Sequence, residues 1–569
     1  MRRSPTPPHR SPRPALLLLL AWLVAACVRA TPPSAIPTST ASPTLAPPPS
    51  PSPTASLSTD WWNDAIFYEV FVRSFYDSNG DGIGDFKGLL ERLDYLNDGN
   101  PSTTTDLGVT GLWLMPIFPS SSYHGYDVID YYSVNPQYGT LDDFKRLLDE
   151  AHRRGIHVII DMVMNHTSVE HPWFQASQDP ESPYRNWYIW AEADPGGTGP
   201  WGEKTWHPSP SGRGYFYGIF GEGMPDLNYT EPAVTAEMQR VARFWLEEVG
   251  VDGFRLDAAR YIIEQNENLA DTQATHRWLR EFRAFCKSLA PHALIVGEVW
   301  TTNFTVASYI KGEDLDLVFD FDLASALLKG VNSGQARIVR DAMKMSQRLL
   351  PPGRSATFLT NHDMPRVMTA LAQDEDKARL AATLLLTMPG VPFIYYGEEI
   401  GMSGGKPDER IRTPMQWSAA AQAGFTTGTP WEAVNSGYSE TNVAGEAVDP
   451  RSLLSHYRTL IALRHQHAAL RAGDLALVEV DNPAILAFLR FTREETLLVI
   501  VNLSKTVERE YRLSLSEGPL SGSYLAMPLL GEGEVAPPQI NAQGGFEAYQ
   551  PLPALPASGT LIIQLRPEK

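Results

Sequence analysis

Short apolar runs alternate with amphipathic segments from Trp61 to Arg464. Eight of the runs have the length and composition of strands: 66–72, 111–115, 157–163, 253–257, 294–297, 317–321, 356–359 and 391–396. Segments with a helical period lie between them, at 86–96, 141–153, 233–248, 275–289, 335–350 and 376–388. Strand–helix repetition of this length predicts an α/β fold with a parallel sheet, and eight strands favour a closed (β/α)8 barrel. A doubly wound open sheet is the alternative.

Two parts of the chain depart from this alternation. Residues 166–230 lack a helical period and are rich in Trp, Tyr, Gly and Pro, so the stretch is too long for a loop and predicts a subdomain inserted after the third strand. After Arg464, runs such as 485–489 and 497–501 alternate with turn residues, which predicts a C-terminal all-β sandwich. The predicted organisation is a barrel over 59–165 and 231–468, an inserted subdomain over 166–230 and a β domain over 469–569.

The N-terminal part is typical of an exported protein. Arginines precede the apolar run 15–26, which is too short for a comfortable membrane span, so residues 1–30 are predicted to be a signal segment. Cys27 stands where bacterial lipoproteins carry their lipidated cysteine, and cleavage after Ala30 is the competing interpretation. Residues 31–58 are almost entirely Pro, Ser, Thr and Ala, a composition typical of an extended tether. We expect an extracytoplasmic lipoprotein on the cell surface, with simple secretion as the alternative.

Composition narrows the classes of ligand and of covalent cross-link. The net charge of −19 argues against nucleic acid, because a phosphate backbone needs a basic face. The chain has 14 Trp and 22 Tyr, which suit flat, hydroxyl-rich ligands, although a large core also uses them. Of the 2 cysteines only Cys286 lies in the folded part, so no disulfide is expected within it.

Charged and polar residues follow the ends of several predicted strands. They are Asp161, Asn165, His166, Arg255, Asp257, Glu298, Asn361, His362 and Asp363. In a parallel barrel the C-terminal ends of the strands meet on one rim, where functional residues gather. An ion pair that closes a loop would explain Arg255 and Asp257 alone, but it would not need the other carboxylates and the histidines. The pattern therefore predicts a site on this rim.

Four of these stretches resemble the signature regions of the α-amylase family (glycoside hydrolase 13), in the family's order and spacing. They are 161–166, 253–257, 297–300 and 360–363, and the resemblance extends over about 61–464. It implies a barrel enzyme that cleaves glycosidic bonds. Residues 224–228 resemble the fifth region of a group intermediate between oligo-1,6-glucosidases and neopullulanases, whereas 409–417 resembles oligo-1,6-glucosidases and trehalose synthases. Ala258 stands where α-1,6 exo-enzymes typically carry Val.

The resemblance also implies roles for individual residues. Asp257 matches the nucleophile, Glu298 the general acid/base and Asp363 the third carboxylate, in a mechanism that retains the anomeric configuration when the first two carboxyls lie about 5 Å apart. Arg255 shares the face of Asp257 and is expected to keep it ionised, while Glu298 must start protonated. The remaining matches are substrate-binding residues: His166 and His362 for sugar hydroxyls, and His124 with Tyr126 for a stacking platform.

Residues 77–85 form a candidate Ca²⁺ loop, because oxygen-bearing side chains alternate with glycines. An EF-hand is excluded, since its twelfth position is Gly88 and not Glu. The loop resembles that of the oligo-1,6-glucosidase type, which implies side-chain ligands from Asp77, Asn79, Asp81 and Asp85 and a carbonyl ligand from Ile83. A plain solvated turn is the alternative. A second calcium of many α-amylases uses a His near the position of Tyr261, so the resemblance leaves that site open.

The predicted function is hydrolysis of α-1,4-glucosidic bonds in starch or malto-oligosaccharides by a covalent glycosyl-enzyme mechanism. Alternatives are an α-glucosidase or oligo-1,6-glucosidase, a trehalose synthase or glucanotransferase that passes the same intermediate to a sugar, and a non-catalytic sugar-binding lipoprotein. The expected partner is a neutral α-glucan, with membrane contact only through the lipid anchor, and a monomer is expected.

Overall fold

The computed structural model describes residues 60–265 and 267–568. The predicted signal segment, Cys27 and the linker therefore lie outside the described residues. The strands, numbered along the chain, are β1 (Phe67–Val70), β2 (Gly111–Leu114), β3 (His157–Met162), β4 (Trp190–Ala191), β5 (Trp206–Pro208), β6 (Tyr215–Tyr217), β7 (Gly253–Leu256), β8 (Leu294–Gly297), β9 (Leu317–Phe319), β10 (Ser355–Thr357), β11 (Val391–Tyr395), β12 (Asp474–Val480), β13 (Ile485–Phe491), β14 (Thr496–Asn502), β15 (Leu513–Leu515), β16 (Tyr524–Leu530), β17 (Phe546–Tyr549) and β18 (Thr560–Pro567).

The α-helices are α1 (Val72–Phe75), α2 (Phe86–Glu91), α3 (Leu93–Leu96), α4 (Leu141–Arg153), α5 (Pro172–Ser177), α6 (Pro232–Arg243), α7 (Gln273–Leu289), α8 (Asn303–Lys311), α9 (Phe321–Ser333), α10 (Ala336–Leu349), α11 (Val367–Ala370), α12 (Glu375–Thr387), α13 (Asp408–Ile411), α14 (Val443–Glu446), α15 (Leu453–Gln466) and α16 (Ala468–Ala472). None of the helices in the described residues has the length and apolar composition needed to cross a membrane.

Eight parallel strands close into a barrel in the order β1-β11-β10-β9-β8-β7-β3-β2. The ring closes because Phe67 of β1 lies opposite Gly111 of β2 on one side and Phe393 of β11 on the other. The rings of Phe67 and Phe393 stack in the barrel interior, 4.4 Å apart. A Cβ at position 111 would lie 2.6 Å from the Phe67 ring, so only glycine fits there. The predicted (β/α)8 barrel is confirmed, and the open-sheet alternative is wrong.

The helices follow local sequence signals. Helix α4 begins with a capping box, in which Thr140 and Asp143 satisfy each other's backbone N–H groups, and its buried residues recur at helical spacing. The predicted helix 86–96 is interrupted at Arg92, whose backbone leaves the helical region and whose guanidinium lies 3.8 Å from the ring centre of Tyr76. The predicted strand 317–321 is too long, since Asp320 instead caps α9 by accepting the N–H of Leu323 (2.9 Å).

The stretch between β3 and α6 contains a three-stranded antiparallel sheet in the order β4-β6-β5, together with the short helix α5. An isolated bridge pairs His166 with Asp226, and another pairs Tyr188 with Leu227. The two ends of the stretch are therefore held side by side at the rim of the barrel. Both ends are thus placed next to the strand ends that carry the candidate site.

The predicted all-β C-terminal region is confirmed as a seven-stranded antiparallel sheet, in the order β16-β18-β14-β13-β12-β15-β17. Alternate residues of β13 face two different cores. Leu486 and Phe488 join the core that surrounds the barrel, whereas Ala487 and Leu489 join a separate core on the other face. Burial of both faces explains why β13 and β14 are apolar runs without polar alternation.

Two buried arginines tie the C-terminal end of α12 to later parts of the chain. Arg464 of α15 donates to the carbonyl oxygens of Leu386 (2.9 Å), Met388 (3.1 Å) and Gly390 (2.6 Å). Arg490 of β13 donates to the carbonyl oxygens of Thr387 (2.7 Å) and Gly473 (2.9 Å). These carbonyl groups lie beyond the last helical hydrogen bonds of α12 or in the chain that leads into the β sheet, so the guanidinium groups satisfy them.

We predict that Arg490→Met lowers the free energy of unfolding by about 2–4 kcal/mol, because two buried carbonyl groups lose a charged donor. Removal of one buried charge offsets only part of this loss. Thermal and urea unfolding of the variant and the parent protein check this. Arg566→Met is the matched control, because that arginine on β18 is exposed and its guanidinium donates to the exchangeable side chain of Gln564 (2.7 Å) and to no buried carbonyl group among the described residues. Equal stability of the Arg490 and Arg566 variants would contradict the prediction.

Candidate active site

The barrel register brings the predicted site residues to one rim. In the β3–β7 pair, Asp161 lies opposite Arg255, and in the β7–β8 pair Leu256 lies opposite Gly297. Asp257 and Glu298, each the first residue after its strand, therefore lie side by side. His362 and Asp363 follow β10, and Tyr126 follows β2. The structure thus brings together residues that are spread along the chain from Tyr126 to Asp363.

Arg255 binds three carboxylates at this rim. Its side chain is 1% exposed, and its guanidinium lies 5.1 Å from the ring centre of Trp113. One terminal nitrogen donates to Asp161 (2.8 Å) and to Asp257 (2.7 Å), and the other donates to Glu298 (2.7 Å). Because Asp257 and Glu298 bond to neighbouring nitrogens of one planar group, their carboxyls are held close together in a fixed orientation.

The two carboxyls have raised pKa values. Burial is the largest influence on Asp257 and, with the nearby acids, outweighs the opposing charge of Arg255, so its pKa rises to about 6. The charge of Arg255 limits this rise, and with a pKa of about 6 Asp257 is mainly ionised at pH 7. Burial also raises the pKa of Glu298, and the like charges of Asp257 and Asp363 add to it against the charge of Arg255. The protonated state of Glu298 is thereby favoured beyond that of an exposed glutamate.

Asp363 has the opposite electrostatic environment. Arg412 donates to its carboxylate at 2.8 Å, and His362 Nε2 lies 3.2 Å from it. Burial, the largest single influence, would raise the pKa of Asp363, but the positive charges of His362 and Arg412 together hold it well below its usual range. The pKa of Asp363 is therefore lowered while those of Asp257 and Glu298 are raised, because their neighbours differ.

The remaining predicted substrate-binding residues form one wall of the site. Tyr126 stacks on His362 with ring centres 5.6 Å apart, and its backbone N–H donates to His124 Nδ1 (3.1 Å). His166 is 1% exposed, and its Nε2 donates to the carbonyl oxygen of Tyr126 (3.1 Å). Burial lowers the pKa of His166 to about 4, so this histidine is neutral. It supports the backbone of Tyr126 as well as lining the cleft.

A cleft of about 580 Å³ lies over these groups. Its lining residues are Tyr123, His124, Tyr126, His166, Pro200, Trp201, Phe220, Met224, Asp257, Ala258, Arg260, Tyr261, Glu298, Trp300, Asp363, Asp408 and Arg412. Trp201 and Trp300 are 56% and 46% exposed, and Trp300 stacks on Phe321 with ring centres 4.8 Å apart. Exposed flat rings beside carboxylates suit a carbohydrate.

Sequence reasoning did not assign Glu69 or Arg412 to the site. Glu69 lies within an apolar strand, and its contact with His362 spans 293 positions along the chain. Arg412 lies in the stretch 409–417, which resembles oligo-1,6-glucosidases and trehalose synthases. It reaches Asp363 from the segment after β11. The sequence does contain one indication that Glu69 has a charged partner. It is a charged residue inside an apolar strand, and a buried carboxylate without a partner is costly.

The candidate calcium loop is built from consecutive side-chain turns. Asp77, Asn79 and Asp81 each accept, through Oδ1, the backbone N–H of the residue two positions later, at 2.8–2.9 Å. Asp85 caps α2 through the N–H of Gly88 (2.7 Å). Within residues 60–265 and 267–568, no three His, Cys, Asp or Glu side chains are grouped so that they could hold a metal ion. A site here therefore depends on the amide oxygen of Asn79 and the carbonyl of Ile83 as well, and this all-oxygen donor set fits Ca²⁺.

At the possible second calcium site, Asn165 and Tyr261 form a hydrogen bond with each other. The side-chain amide of Asn165 donates to the carbonyl oxygen of Tyr261 (2.7 Å). Next to it, the buried carboxyls of Asp226 and Glu264 interact unfavourably, and burial raises the pKa of Glu264 to about 7. We assign no ion to this position.

Comparison with known proteins agrees with this geometry. The family profile described as "Alpha amylase, catalytic domain" matches residues 69–473. A relative named Alpha-amylase 3, from Dictyoglomus thermophilum, is 41% identical over 453 residues, which cover 78% of this chain and 86% of the relative. An oligo-1,6-glucosidase of Heyndrickxia coagulans is 33% identical over 523 residues, covering 79% and 93%. A trehalose synthase of Thermus thermophilus is 35% identical over 502 residues, covering 78% of this chain and 50% of that longer protein.

Solved structures give the same result. The crystal structure of an α-amylase from H. orenii superposes with a TM-score of 0.77 at 41% identity, covering 88% of this chain and 99% of that one. The crystal structure of a trehalulose synthase mutant superposes with a TM-score of 0.75 at 29% identity, covering 89% and 100%. Fold, rim residues and relatives therefore agree that the chain belongs to the α-amylase family, glycoside hydrolase family 13, and is an enzyme of the glycoside hydrolase type.

Proposed function

We propose that this enzyme cleaves α-1,4-glucosidic bonds of starch or malto-oligosaccharides with retention of configuration. The observation that carries the proposal is the pair Asp257 and Glu298, bound to neighbouring nitrogens of the buried Arg255 and open to the same cleft. This arrangement is compatible with the separation of about 5 Å that a retaining glycosidase uses.

In the first step, the carboxyl of Glu298 protonates the glycosidic oxygen while Asp257 attacks the anomeric carbon and forms a glycosyl ester. In the second step, Glu298 takes a proton from water, which then displaces Asp257. Asp363, held ionised between His362 and Arg412, accepts hydrogen bonds from the sugar hydroxyls and stabilises the distorted ring. The raised pKa of Glu298 supports the acid role, and the ionised state of Asp257 at pH 7 supports the nucleophile role.

The choice of the α-1,4 linkage rests on the two α-amylase relatives at 41% identity and on Ala258. An α-glucosidase or oligo-1,6-glucosidase is the second candidate, favoured by the relative at 33% identity. A trehalose synthase or glucanotransferase activity is the third, favoured by the exposed Trp300 ring just beyond Glu298, where an acceptor sugar would lie. In that case the glycosyl ester passes to a sugar hydroxyl in place of water.

Product analysis separates these candidates. The enzyme is incubated with soluble starch, maltotriose, isomaltose and maltose, and the products are resolved by anion-exchange chromatography. Shorter malto-oligosaccharides from starch and maltotriose are expected. Rapid cleavage of isomaltose without action on starch would overturn the α-1,4 assignment, and trehalose from maltose would overturn the hydrolase assignment. Failure to convert any of the four substrates would favour the non-catalytic sugar-binding lipoprotein.

We also propose that the loop 77–85 binds Ca²⁺ and that the enzyme is a monomer tethered outside the cytoplasm through Cys27. The support for calcium is chemical: Asp77, Asp81 and Asp85 form hydrogen bonds but no ion pair with Lys or Arg among the described residues. A bound cation would supply the missing positive charge and stiffen the loop next to α2. Labelling with radioactive palmitate in the parent and the Cys27→Ala variant tests the tether.

Removal of calcium is expected to lower the melting temperature, because a ligand present at 100 times its Kd stabilises the folded state by about 2.7 kcal/mol. Melting curves with excess chelator, and after Ca²⁺ is restored, check this. The Asp81→Ala variant should no longer respond to chelator. Asp98→Ala is the matched control, since Asp98 makes a similar turn outside the loop by accepting the N–H of Asn100 (2.7 Å), and it should respond like the parent. A melting curve that chelator leaves unchanged counts against the loop site.

A further inference from the structure

Glu69 is a buried carboxylate that the mechanism above does not use. It lies on β1 between apolar residues, is 2% exposed, and points toward the site from the barrel wall. Its backbone carbonyl accepts the N–H of Tyr396 (3.0 Å), which fixes this end of β1 against β11. Its side-chain Oε1 lies 2.5 Å from His362 Nδ1. A carboxylate at this depth needs a charged partner, and His362 is the group within reach.

A carboxylate lies near each ring nitrogen of His362, which favours two ring protons. Nδ1 faces the Glu69 carboxylate, which is an acceptor when ionised. Nε2 lies 2.6 Å from the Tyr126 hydroxyl and 3.2 Å from the Asp363 carboxylate. When the Tyr126 hydroxyl donates to Asp161 (3.1 Å), it acts as an acceptor toward His362. A neutral imidazole would have to turn a lone pair toward one of the two carboxylates.

The charges around His362 come from every side of the site. Glu69 reaches it from β1, Asp161 from β3 and Asp363 from its own loop, whereas the cation Arg412 donates to the His362 carbonyl oxygen at 3.0 Å. Burial alone would lower the pKa of His362, but the charges of Asp363 and then Glu69 raise it to about 10. The imidazolium is thereby stable throughout the pH range in which the enzyme would work.

We propose that Glu69 is a positioning residue whose carboxylate keeps His362 doubly protonated, so that the imidazolium holds Asp363 and Tyr126 in place for the sugar. Glu69 touches neither substrate nor reacting atoms, and acts through His362. The Nε2–H donor then points at Asp363 and Tyr126, while the Tyr126 proton remains on the bond to Asp161. The effect on catalysis rests on the proposed function, whereas the protonation state of His362 does not.

The Glu69→Gln variant separates charge from shape. The Gln amide oxygen still accepts the Nδ1–H of a neutral His362, so the packing and one hydrogen bond are preserved. Without the Glu69 charge, the pKa of His362 falls, and above that lowered pKa the Nε2 lone pair faces the Asp363 carboxylate. We expect kcat/KM on maltotriose to fall by about 10- to 100-fold at pH 8, the range for loss of one charge-assisted hydrogen bond.

The sign of the pH dependence follows from the same argument. The deficit of the Glu69→Gln variant is present above the lowered pKa of His362 and shrinks as the pH falls through it, because His362 regains its second proton. A merely structural loss would be equal at every pH. Glu69→Asp, which keeps the charge, should recover part of the activity at pH 8. Glu399→Gln is the matched control: this buried glutamate bonds Tyr68 (2.7 Å) and not His362, and its pH profile should match that of the parent.

NMR of the protein labelled with 15N-histidine measures the protonation directly, with His362→Gln to assign the signal. The expected result at pH 8 is two protonated ring nitrogens in the parent and one in Glu69→Gln. A neutral His362 in the parent, an equally cationic His362 in Glu69→Gln, or a kinetic deficit that does not change with pH would each overturn the inference. If no glucan is converted but the NMR result holds, the proposed function fails while the role of Glu69 in the charge of His362 stands.

Discussion

Replacing Asp257 by Asn is expected to lower kcat on malto-oligosaccharides by at least about 10⁴-fold, because an amide does not form the glycosyl ester on which both steps depend. The fold should be unaffected. Asn has nearly the same shape as Asp. Its amide oxygen can still accept the hydrogen bond that Arg255 donates to Asp257 in the parent protein (2.7 Å). Steady-state rates on maltotriose, with circular dichroism and melting curves of both proteins, measure the two effects separately.

Two further measurements identify the role of Asp257 as well as its importance. A slow fluorinated glycosyl substrate should label the parent on Asp257, which peptide mass spectrometry detects. In the Asp257→Gly variant, azide should enter the space of the missing carboxylate and give a product of inverted configuration. Asp252→Asn is the matched control, since this aspartate precedes the same strand at the opposite end of the barrel and bonds His152 (2.7 Å). Near-normal turnover by Asp257→Asn would refute the nucleophile assignment.

The second large effect is expected for Glu298→Gln, whose kcat on malto-oligosaccharides should fall by about 10³- to 10⁴-fold. The glutamine occupies the same space and retains an acceptor for Arg255 and for the N–H of Ala258 (3.1 Å), but it provides no proton for the leaving oxygen. The loss should depend on the leaving group. With α-glucosyl fluoride, whose fluoride leaves without protonation, the first step should stay fast and the covalent intermediate should accumulate.

The pH profile provides an independent check on Glu298. The acid form is required, so the rate of the parent should fall as the pH rises through the raised pKa of Glu298. That alkaline limb should be absent from Glu298→Gln with α-glucosyl fluoride. Azide should speed the second step of this variant and give a product of retained configuration, opposite to the result for Asp257→Gly. An equal loss with both leaving groups would remove Glu298 from the acid role.

Asp257 and Glu298 share one buried electrostatic environment around Arg255. Both carboxyls are buried, and burial raises the pKa of each. One nitrogen of Arg255 donates to both Asp257 and Asp161. The ionisation of Asp257 is therefore coupled to that of Asp161. Bound sugar would replace the water in the cleft, so the same charges should act more strongly in the complex than in the free enzyme.

The sequence by itself determined the local and the repeating features of this protein. Helix α4 could be predicted from Thr140 onward, because caps and helical spacing act within a few residues. The alternation of strands and helices predicted the barrel, and the barrel rule then placed Asp257, Glu298 and Asp363 on one rim, since strand ends of a parallel barrel share a side. The resemblance of these stretches to one family identified the chemistry before any distance was known.

Only the tertiary structure decided which charges meet. That one nitrogen of Arg255 serves Asp161 and Asp257 while the other serves Glu298 depends on the register of three strands. The pairing of Glu69 with His362 depends on closure of the barrel between β1 and β11. These contacts join positions far apart in the chain, and local spacing carries no information about register across a closed sheet. The sequence therefore predicted which residues act, and the packing of the barrel determined their partners and so their charge.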